Sequence, residues 1–342
     1  MSKNNPQQDR VIAILKNRLV TRMYQPGDRL PPLHELEQEL SVSHVTLSRA
    51  VKVLKAEEFV TTIPRGGIYV RMNLPFTCRF ALVFRHSPES SHWNSLYRDI
   101  LIGLKNIHLP DGVTIQPIFR VVPENGNHEY QELCRDLNGR RWAGLIFTPE
   151  LFASVNKYFL RPFPELRHVY LRGIPEAGEI PAVDIDTRQL WQYGLDSLRH
   201  RGCNRIGIID KLSGIDYLLE NYTSLAGDIS RKRIVAVPEN RPEILHNLTQ
   251  LLLDSKPDGL IVGENVFLSG VIAAAMSAGR LPGHDLMIVA HANRSGHTLP
   301  TRDIRRIGFH IRDLLLLCLA AMRHPRNLVP HLALIPARFD DE

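Results

Sequence analysis

From Leu30 to Val70 the chain reads LPPLHELEQELSVSHVTLSRAVKVLKAEEFVTTIPRGGIYV, and the spacing of its apolar residues leaves few folds open. Leu33, Leu36 and Leu40 share one helical stripe, and Leu47, Ala50, Val51 and Leu54 share another, so each segment is a short helix with one buried face. The two helices meet across Ser41-Val42-Ser43 as a helix-turn-helix. Ser43 stands where an N-cap belongs, its side-chain oxygen able to accept a backbone N–H of the helix it starts. Opposite the second stripe lie His44, Val45, Ser48, Arg49 and Lys52, and the N-terminal end of such a helix is the part that can reach base edges in a major groove. Phe59 to Ile63 and Ile68 to Arg71 alternate like strands, and Pro64-Arg65-Gly66-Gly67 joins them as a tight turn. That hairpin would be a basic wing with Arg65 at its tip. Upstream, Val11, Leu15 and Leu19, with Ile12 and Ile14 beside them, predict a leading helix that ends before Pro26-Gly27 and completes a three-helix core.

Several ordered pieces of this region resemble the DNA-binding domain of GntR-type bacterial transcription regulators. They are Gln25-Pro26-Gly27-Asp28-Arg29-Leu30-Pro31, Leu36 to Leu40, Val42-Ser43, Thr46-Leu47, Ala50, and the Gly-Ile-Tyr-Val ending at Val70, over about residues 8–71. The resemblance implies a winged helix-turn-helix over residues 1–71. Double-stranded operator DNA would be touched by His34, Ser43, His44, Val45, Thr46, Ser48, Arg49, Lys52, Arg65 and Gly66. The chain departs from the family at His34, His44 and Ser48, where relatives commonly carry Arg. Arginine is permanently charged and can fork onto guanine or phosphate, whereas an unperturbed His is mostly neutral at neutral pH. DNA affinity is therefore expected to lean on Arg49, Lys52 and Arg65, and to strengthen as pH falls through about 6.5.

Charge agrees with a nucleic-acid partner. Residues 1–75 hold 11 Lys and Arg against 7 Asp and Glu, which is +4 of the chain's formal +6, and phosphate contacts dominate non-specific DNA affinity. At 342 residues the chain is long enough for two or three domains. Cys78, Cys134, Cys203 and Cys318 are scattered without a metal-binding spacing, so reduced core thiols in a cytoplasmic protein are expected. The N-terminus is polar, and the most apolar run, Leu314 to Met322, is too short to span a bilayer. The sequence holds no G-x-x-x-x-G-K, G-x-S-x-G or H-E-x-x-H, and neither catalysis, a cofactor nor a metal is expected.

After a proline-containing linker over residues 72–78, residues 79–342 alternate short apolar runs with helical stretches. Phe80 to Phe84, Val113 to Val122, Ala143 to Phe147 and Val169 to Leu171 read as strands, with helices from His92 to Ile107 and Glu129 to Leu137. A second series has strands at Arg205 to Ile209, Ile234 to Val237, Gly259 to Val262 and Leu286 to Ala290. Its helices run from Arg188 to His200, Tyr217 to Leu225, Glu243 to Leu253 and Val266 to Ala278. Such alternation predicts an α/β fold of two lobes with doubly wound parallel sheets, divided near Ile174 to Ile185, with a last helix, Ile311 to Met322, crossing back.

This part is similar to the effector domain of LacI-type repressors, which resembles periplasmic sugar-binding proteins. The matching pieces are Ile180 to Asp186, His200 to Gly207, Lys256 to Val262, and Glu264 to Gly279 with Pro282 ahead of Leu286 to Ala290. In open α/β sheets ligands bind beyond the carboxyl ends of strands. The candidates there are His86, Trp93, Asn94, Glu150, Arg172, Asp210, Glu264, Asn265, His291, Asn293 and Arg294. Trp93 offers either a flat face for a sugar ring or an anchor between its helix and the sheet. Glu264-Asn265 replaces the family's usual Asn-Asp, Ala292-Asn293 replaces a pair of Asp, and Leu218 to Tyr222 lacks the family's hydroxyl-binding Arg. The resemblance implies a homodimeric repressor whose cleft holds a carbohydrate or related polar metabolite. Two alternatives stay open: a ligand-free dimerisation scaffold behind a DNA reader, and a carbohydrate-active enzyme fused to one.

Overall fold

Three apolar stripes decide the N-terminal fold. In the computed structural model, helices α1 (Pro6–Val20), α2 (Leu33–Leu40) and α3 (His44–Ala56) turn Val11, Leu15, Leu19, Leu36, Leu40, Leu47, Ala50, Val51 and Leu54 into one core with Phe59. Burying a leucine of this kind stabilises by about 1.5–3 kcal/mol. Ser41 ends α2 in the left-handed region at φ 53°, and its N–H and that of Val42 bond back to Gln38 and Glu37 carbonyls, a C-cap that frees the chain to start α3. Strands β1 (Val60–Ile63) and β2 (Gly67–Val70) pair antiparallel from Val60↔Val70 to Ile63↔Gly67. The segment before α2 joins them: Leu30 N donates to Ile68 O at 2.8 Å and Val70 N to Asp28 O at 2.9 Å. Hence Gln25 to Pro31, legible in the sequence as a motif, is the third edge of the wing.

The structure describes residues 6–90, 93–109, 112–172, 181–227, 229–238, 241–293, 304–323 and 332–340. They divide into two compact units, Met1–Ser87 with His108–Leu171, and Pro88–Ile107 with Arg172–Glu342. Within the first unit a helical turn, α4 (Pro75–Cys78), follows the wing and leads into β3 (Arg79–Val83). The chain then passes through α5 (Ser95–Asn106), which belongs to the second unit, before β4 (Thr114–Ile118), α6 (His128–Asn138), β5 (Gly144–Phe147), α7 (Phe152–Val155) and β6 (His168–Leu171). The four strands are parallel in the order β4-β3-β5-β6. Every residue of β5 and β6 is buried, as expected of parallel strands covered on both faces.

In the second unit β7 (Ala182–Ile185) comes first, then α8 (Thr187–His200), β8 (Ile206–Lys211), α9 (Leu212–Asn221), α10 (Thr223–Ala226) and β9 (Ile234–Val237). There follow α11 (Leu245–Asp254), β10 (Gly259–Val262), α12 (Leu268–Ser277), β11 (Met287–His291), β12 (Ile304–Gly308), α13 (Ile311–Arg323), β13 (Leu332–Ile335) and β14 (Arg338–Phe339). Its main sheet runs β14-β12-β11-β10-β8-β9, parallel except for β14, and β7 pairs in parallel with β13. Helix α13 crosses back to pack on β7 and α5.

Three expectations need revision. The strand predicted over Val113 to Val122 stops at Ile118, because Arg120 turns the chain at φ 57°. The helix predicted over Tyr217 to Leu225 starts earlier, at Leu212, and breaks at Tyr222. Strands β7, β12, β13 and β14 were not expected as strands. Arg305 and Arg306 sit in the middle of β12 and mask its apolar pattern, and the Arg305 guanidinium is absorbed by stacking 3.7 Å from the Phe339 ring centroid. Of the boundary expected near Ile174 to Ile185, residues 174–180 lie outside the described residues, and the remainder includes strand β7, buried except at Asp184.

Candidate functional site

The wing and α3 form one polar surface. Ser43 accepts the Thr46 N–H at 3.3 Å, and their hydroxyls lie 3.0 Å apart, so the helix start is fixed locally. The apolar stripe behind it is fully buried, which leaves Val45, Arg49 and Lys52 exposed. Arg65 holds the wing tip in the left-handed region at φ 58°, and Gly66 N–H closes the turn onto Ile63 O at 2.9 Å. Gly67 has φ 114°, and a Cβ there would stand 2.8 Å from the Arg29 guanidinium, so that arginine can lie against the wing only because the residue is glycine. Among the described residues Arg49, Lys52 and Arg65 take part in no ion pair. His44 differs: its Nδ1 is 2.6 Å from Glu37 Oε1.

A second constellation forms in the second unit at the carboxyl ends of β8, β10 and β11. Glu264, just beyond β10, takes the Lys211 ammonium at 2.7 Å on one oxygen and the Ser95 hydroxyl at 2.8 Å on the other. Asn293, two residues past β11, donates through Nδ2 to Asp99 Oδ2 at 3.0 Å and accepts the Phe309 N–H at 3.3 Å through Oδ1. His291 Nδ1 faces the Gly263 carbonyl at 2.9 Å, and its Nε2 faces the same Asn293 oxygen at 3.0 Å. Both ring nitrogens therefore meet acceptors. Asp210, 5% exposed, caps the Lys211 N–H at 2.8 Å and is enclosed by Gly214 and Gly263, at either of which a Cβ would strike its carboxylate. Burial pushes Asp99 above the usual carboxylate range, against the Asn293 bond and the neighbouring His291. Burial also pushes on Glu264, but Lys211 and Ser95 outweigh it and the group sits below its ordinary value.

The first unit has its own strand-end pair. Arg85, after β3, holds both oxygens of Glu124 at 3.0 Å, and the Ser154 hydroxyl bonds the same carboxylate. Arg85 in the first place holds Glu124 down to about 2. Among the described residues no three His, Cys, Asp or Glu are grouped to hold a metal ion, and no helix is long and apolar enough to cross a membrane.

A model of the family described as bacterial regulatory proteins, gntR family, matches residues 7–70. Those residues are a gntR-type domain. The fold is also shared with LacI-family regulators. The Escherichia coli transcriptional repressor ascG is 12% identical, with TM-score 0.58 over 77% of this chain and 97% of that one. A regulatory protein of LacI family from Chloroflexus aggregans is 18% identical, with TM-score 0.57 over 78% and 97%. A LacI family transcriptional regulator from Enterococcus faecium, solved with bound ribose, is 17% identical, with TM-score 0.53 over 77% and 96%. At such identities the likeness is one of fold. No curated protein matches the chain.

Within the gntR-type domain Ser43 caps α3, the named residues His44, Val45, Ser48, Arg49 and Lys52 lie along it, and Arg65 and Gly66 lie in the wing turn. Thr46 is 6% exposed and spends its hydroxyl on Ser43. His34 is exposed at the start of α2, 3.9 Å from Glu35. Of the strand-end candidates, Glu264, His291 and Asn293 come together with Asp210 alongside. Asn94 caps α5 by accepting the Tyr97 N–H at 2.9 Å, and Trp93 meets the Tyr97 ring edge-on at 5.4 Å, so both support the helix that delivers Ser95 and Asp99. Asn265 is exposed, and Arg172 pairs with Asp184 at 3.3 Å. His86 and Glu150 lie in the first unit, half-buried after β3 and β5, and Arg294 lies outside the described residues. Ser95, Asp99 and Lys211 are the members that the sequence did not nominate. Ser95 and Asp99 reach their partners across 169 and 194 residues, a separation that no local pattern signals.

Proposed function

We propose that the protein is a sequence-specific DNA-binding transcription regulator, acting as a repressor and controlled by a sugar-like effector at the strand-end cluster of the second unit. Residues 1–71 read DNA, 72–78 connect, and 79–342 bind effector and dimerise. The observation that carries this reading is the joining, in one chain, of two sites with opposite character. One is an exposed helix start and wing whose Arg49, Lys52 and Arg65 take part in no ion pair among the described residues, suited to phosphates and base edges. The other is a buried set of polar groups at strand ends, where α/β folds bind small molecules. Two copies on two half-sites about one helical turn apart would match a palindromic operator. The protein is cytoplasmic on this reading and catalyses nothing.

The test is selection of a binding site from random duplex DNA with the full chain, followed by thermal-shift and operator-affinity measurements over a carbohydrate panel. A palindromic consensus, with a ligand that raises the melting temperature in a concentration-dependent way and alters operator affinity, is the expected result. DNA binding without any ligand response favours the dimerisation scaffold. Retention of DNA without sequence preference sinks the regulator.

A further inference from the structure

We propose that the first unit holds a second small-molecule site, for a monocarboxylate with an aromatic or bulky apolar body, where the gntR-type domain meets the sheet that follows it. A cavity of about 380 Å³ lies there, within the roughly 300–1,000 Å³ of small-molecule sites, and all of its lining belongs to the first unit. Val20, the last residue of α1, and Phe76, in α4, line it together with Leu137 of α6, Trp142 before β5, and Phe163 and Leu166 before β6. Of these six only Leu137 is buried, and the other five are half-buried. Apolar surface is thus left open on both parts, and an apolar ligand body gains by covering it.

The charged groups choose the head group. Arg140, Glu165 and Arg167 line the cavity, and none of the three takes part in an ion pair among the described residues. All three are exposed, so they stand where the cavity meets solvent. The carboxylates around it are already held: Glu57 by Lys16 at 2.6 Å, Asp136 by Arg141 at 2.8 Å, and Glu58 by both Arg71 at 3.6 Å and Arg79 at 3.5 Å. One positive charge therefore remains in excess in the lining, and a guanidinium fork matches a carboxylate. A second charge on the ligand, as on a phosphate, would meet Glu165 uncompensated. A cationic ligand gains little, because the Trp142 ring already carries the Arg79 guanidinium 5.3 Å from its centroid.

The same cavity bears on how α1 is seated. Lys16, one turn before Val20 and 7% exposed, donates to Gly139 O at 2.7 Å, between the lining residues Asn138 and Arg140. Phe76 packs on Phe59 of the N-terminal core, with ring centroids 6.2 Å apart. An occupant would fix α1 and α4 against the end of α6, an input to the gntR-type domain separate from the strand-end cluster of the second unit.

The experiment is calorimetric titration of the full chain with benzoate, phenylacetate and indole-3-acetate, each against its neutral amide and against acetate, followed by hydrogen exchange with the acid that binds. The expected result is at least about tenfold tighter binding of one acid than of its amide and of acetate, with slower exchange in α1. Arg140→Asn, a residue that suits the φ of 55° there, and Arg167→Gln should each remove most of the acid's advantage over its amide. Val20→Trp, with Val20→Phe as a milder variant in case the first folds poorly, fills the cavity and should abolish binding of both. An acid that binds no better than its amide, or that binds undiminished to the Val20 variants, overturns the site. So does binding that leaves exchange in α1 unchanged, or a panel in which nothing binds. The carbohydrate measurements are untouched by any of these results, so the effector reading stands or falls separately.

Discussion

The surface proposed to read DNA and the strand-end cluster proposed to bind effector present polar groups in opposite ways. On α3 the presenting side chains are exposed and stand on Leu36, Leu47 and Leu54, which are wholly buried. In the second unit the presenting side chains are themselves the buried layer: Asp210, Glu264 and Asn293 are at most 9% exposed and are bonded to neighbours. Solvated cations cost little to keep unpaired, so a DNA reader can wait with them free. Buried polar groups cannot wait, because each lost partner costs a desolvation penalty. Recognition and stability are therefore separable in the first region and fused in the second.

The largest effect should come from Glu264→Ala, which strands Lys211 and Ser95 and lowers stability by about 1–3 kcal/mol. Thermal or urea unfolding measures it. Arg49→Ala should change stability by no more than about 0.5 kcal/mol, while weakening operator binding by about 1–3 kcal/mol if it reads a base, or lowering the salt slope by about one if it meets a phosphate. Were Arg49→Ala to destabilise as much as Glu264→Ala, the contrast between the two regions would be lost.

A smaller effect sharpens the comparison through pH. Glu264 has a depressed folded value, so the stability it contributes is present above the unfolded carboxylate range and is lost as pH falls through the folded value. Asp99 has a raised one, so its contribution is present at low pH and is lost as pH rises from the unfolded value through the folded one. Melting temperature against pH for Glu264→Gln and Asp99→Asn should therefore deviate from wild type in opposite directions. Glu264→Gln flattens the acid limb, and Asp99→Asn flattens the decline above it. Deviations of the same sign would mean that the two carboxylates do not sit in the environments described.

The same contrast explains what the sequence revealed. The reader's stripes, cap and wing are local, so Leu47, Ser43 and Arg65 could be placed from spacing alone. Strand ends are also local, and Glu264, His291 and Asn293 stand out as polar residues following apolar runs. What no spacing carries is the partner set: Ser95 and Asp99 come from a helix far away in the chain. Lys211 was hidden because it continues β8 past the apolar run, and β12 was hidden because arginines interrupt its pattern. In each case a side chain is satisfied by a tertiary neighbour that propensity does not see.

The smallest effect concerns a proposed reading residue that, unlike Arg49, Lys52 and Arg65, is paired within its own domain. His44 is exposed, yet its Nδ1 is bound 2.6 Å from Glu37 Oε1, so a phosphate or guanine must compete with a carboxylate of the same domain. The sequence suggested that operator affinity rises on acidification through His44; the pairing adds Glu37 to that response. Glu37→Gln removes a negative charge from the DNA-facing surface and should strengthen operator binding by about 0.2–1 kcal/mol, as expected for an exposed pair. A double-mutant cycle with His44→Ala, measured at about pH 6 and about pH 8, apportions the effect. If Glu37→Gln acts equally in the wild-type and His44→Ala backgrounds, the ion pair does not gate DNA reading. Coupling that is larger at the lower pH would place a proton-sensitive contact at the start of the reading helix.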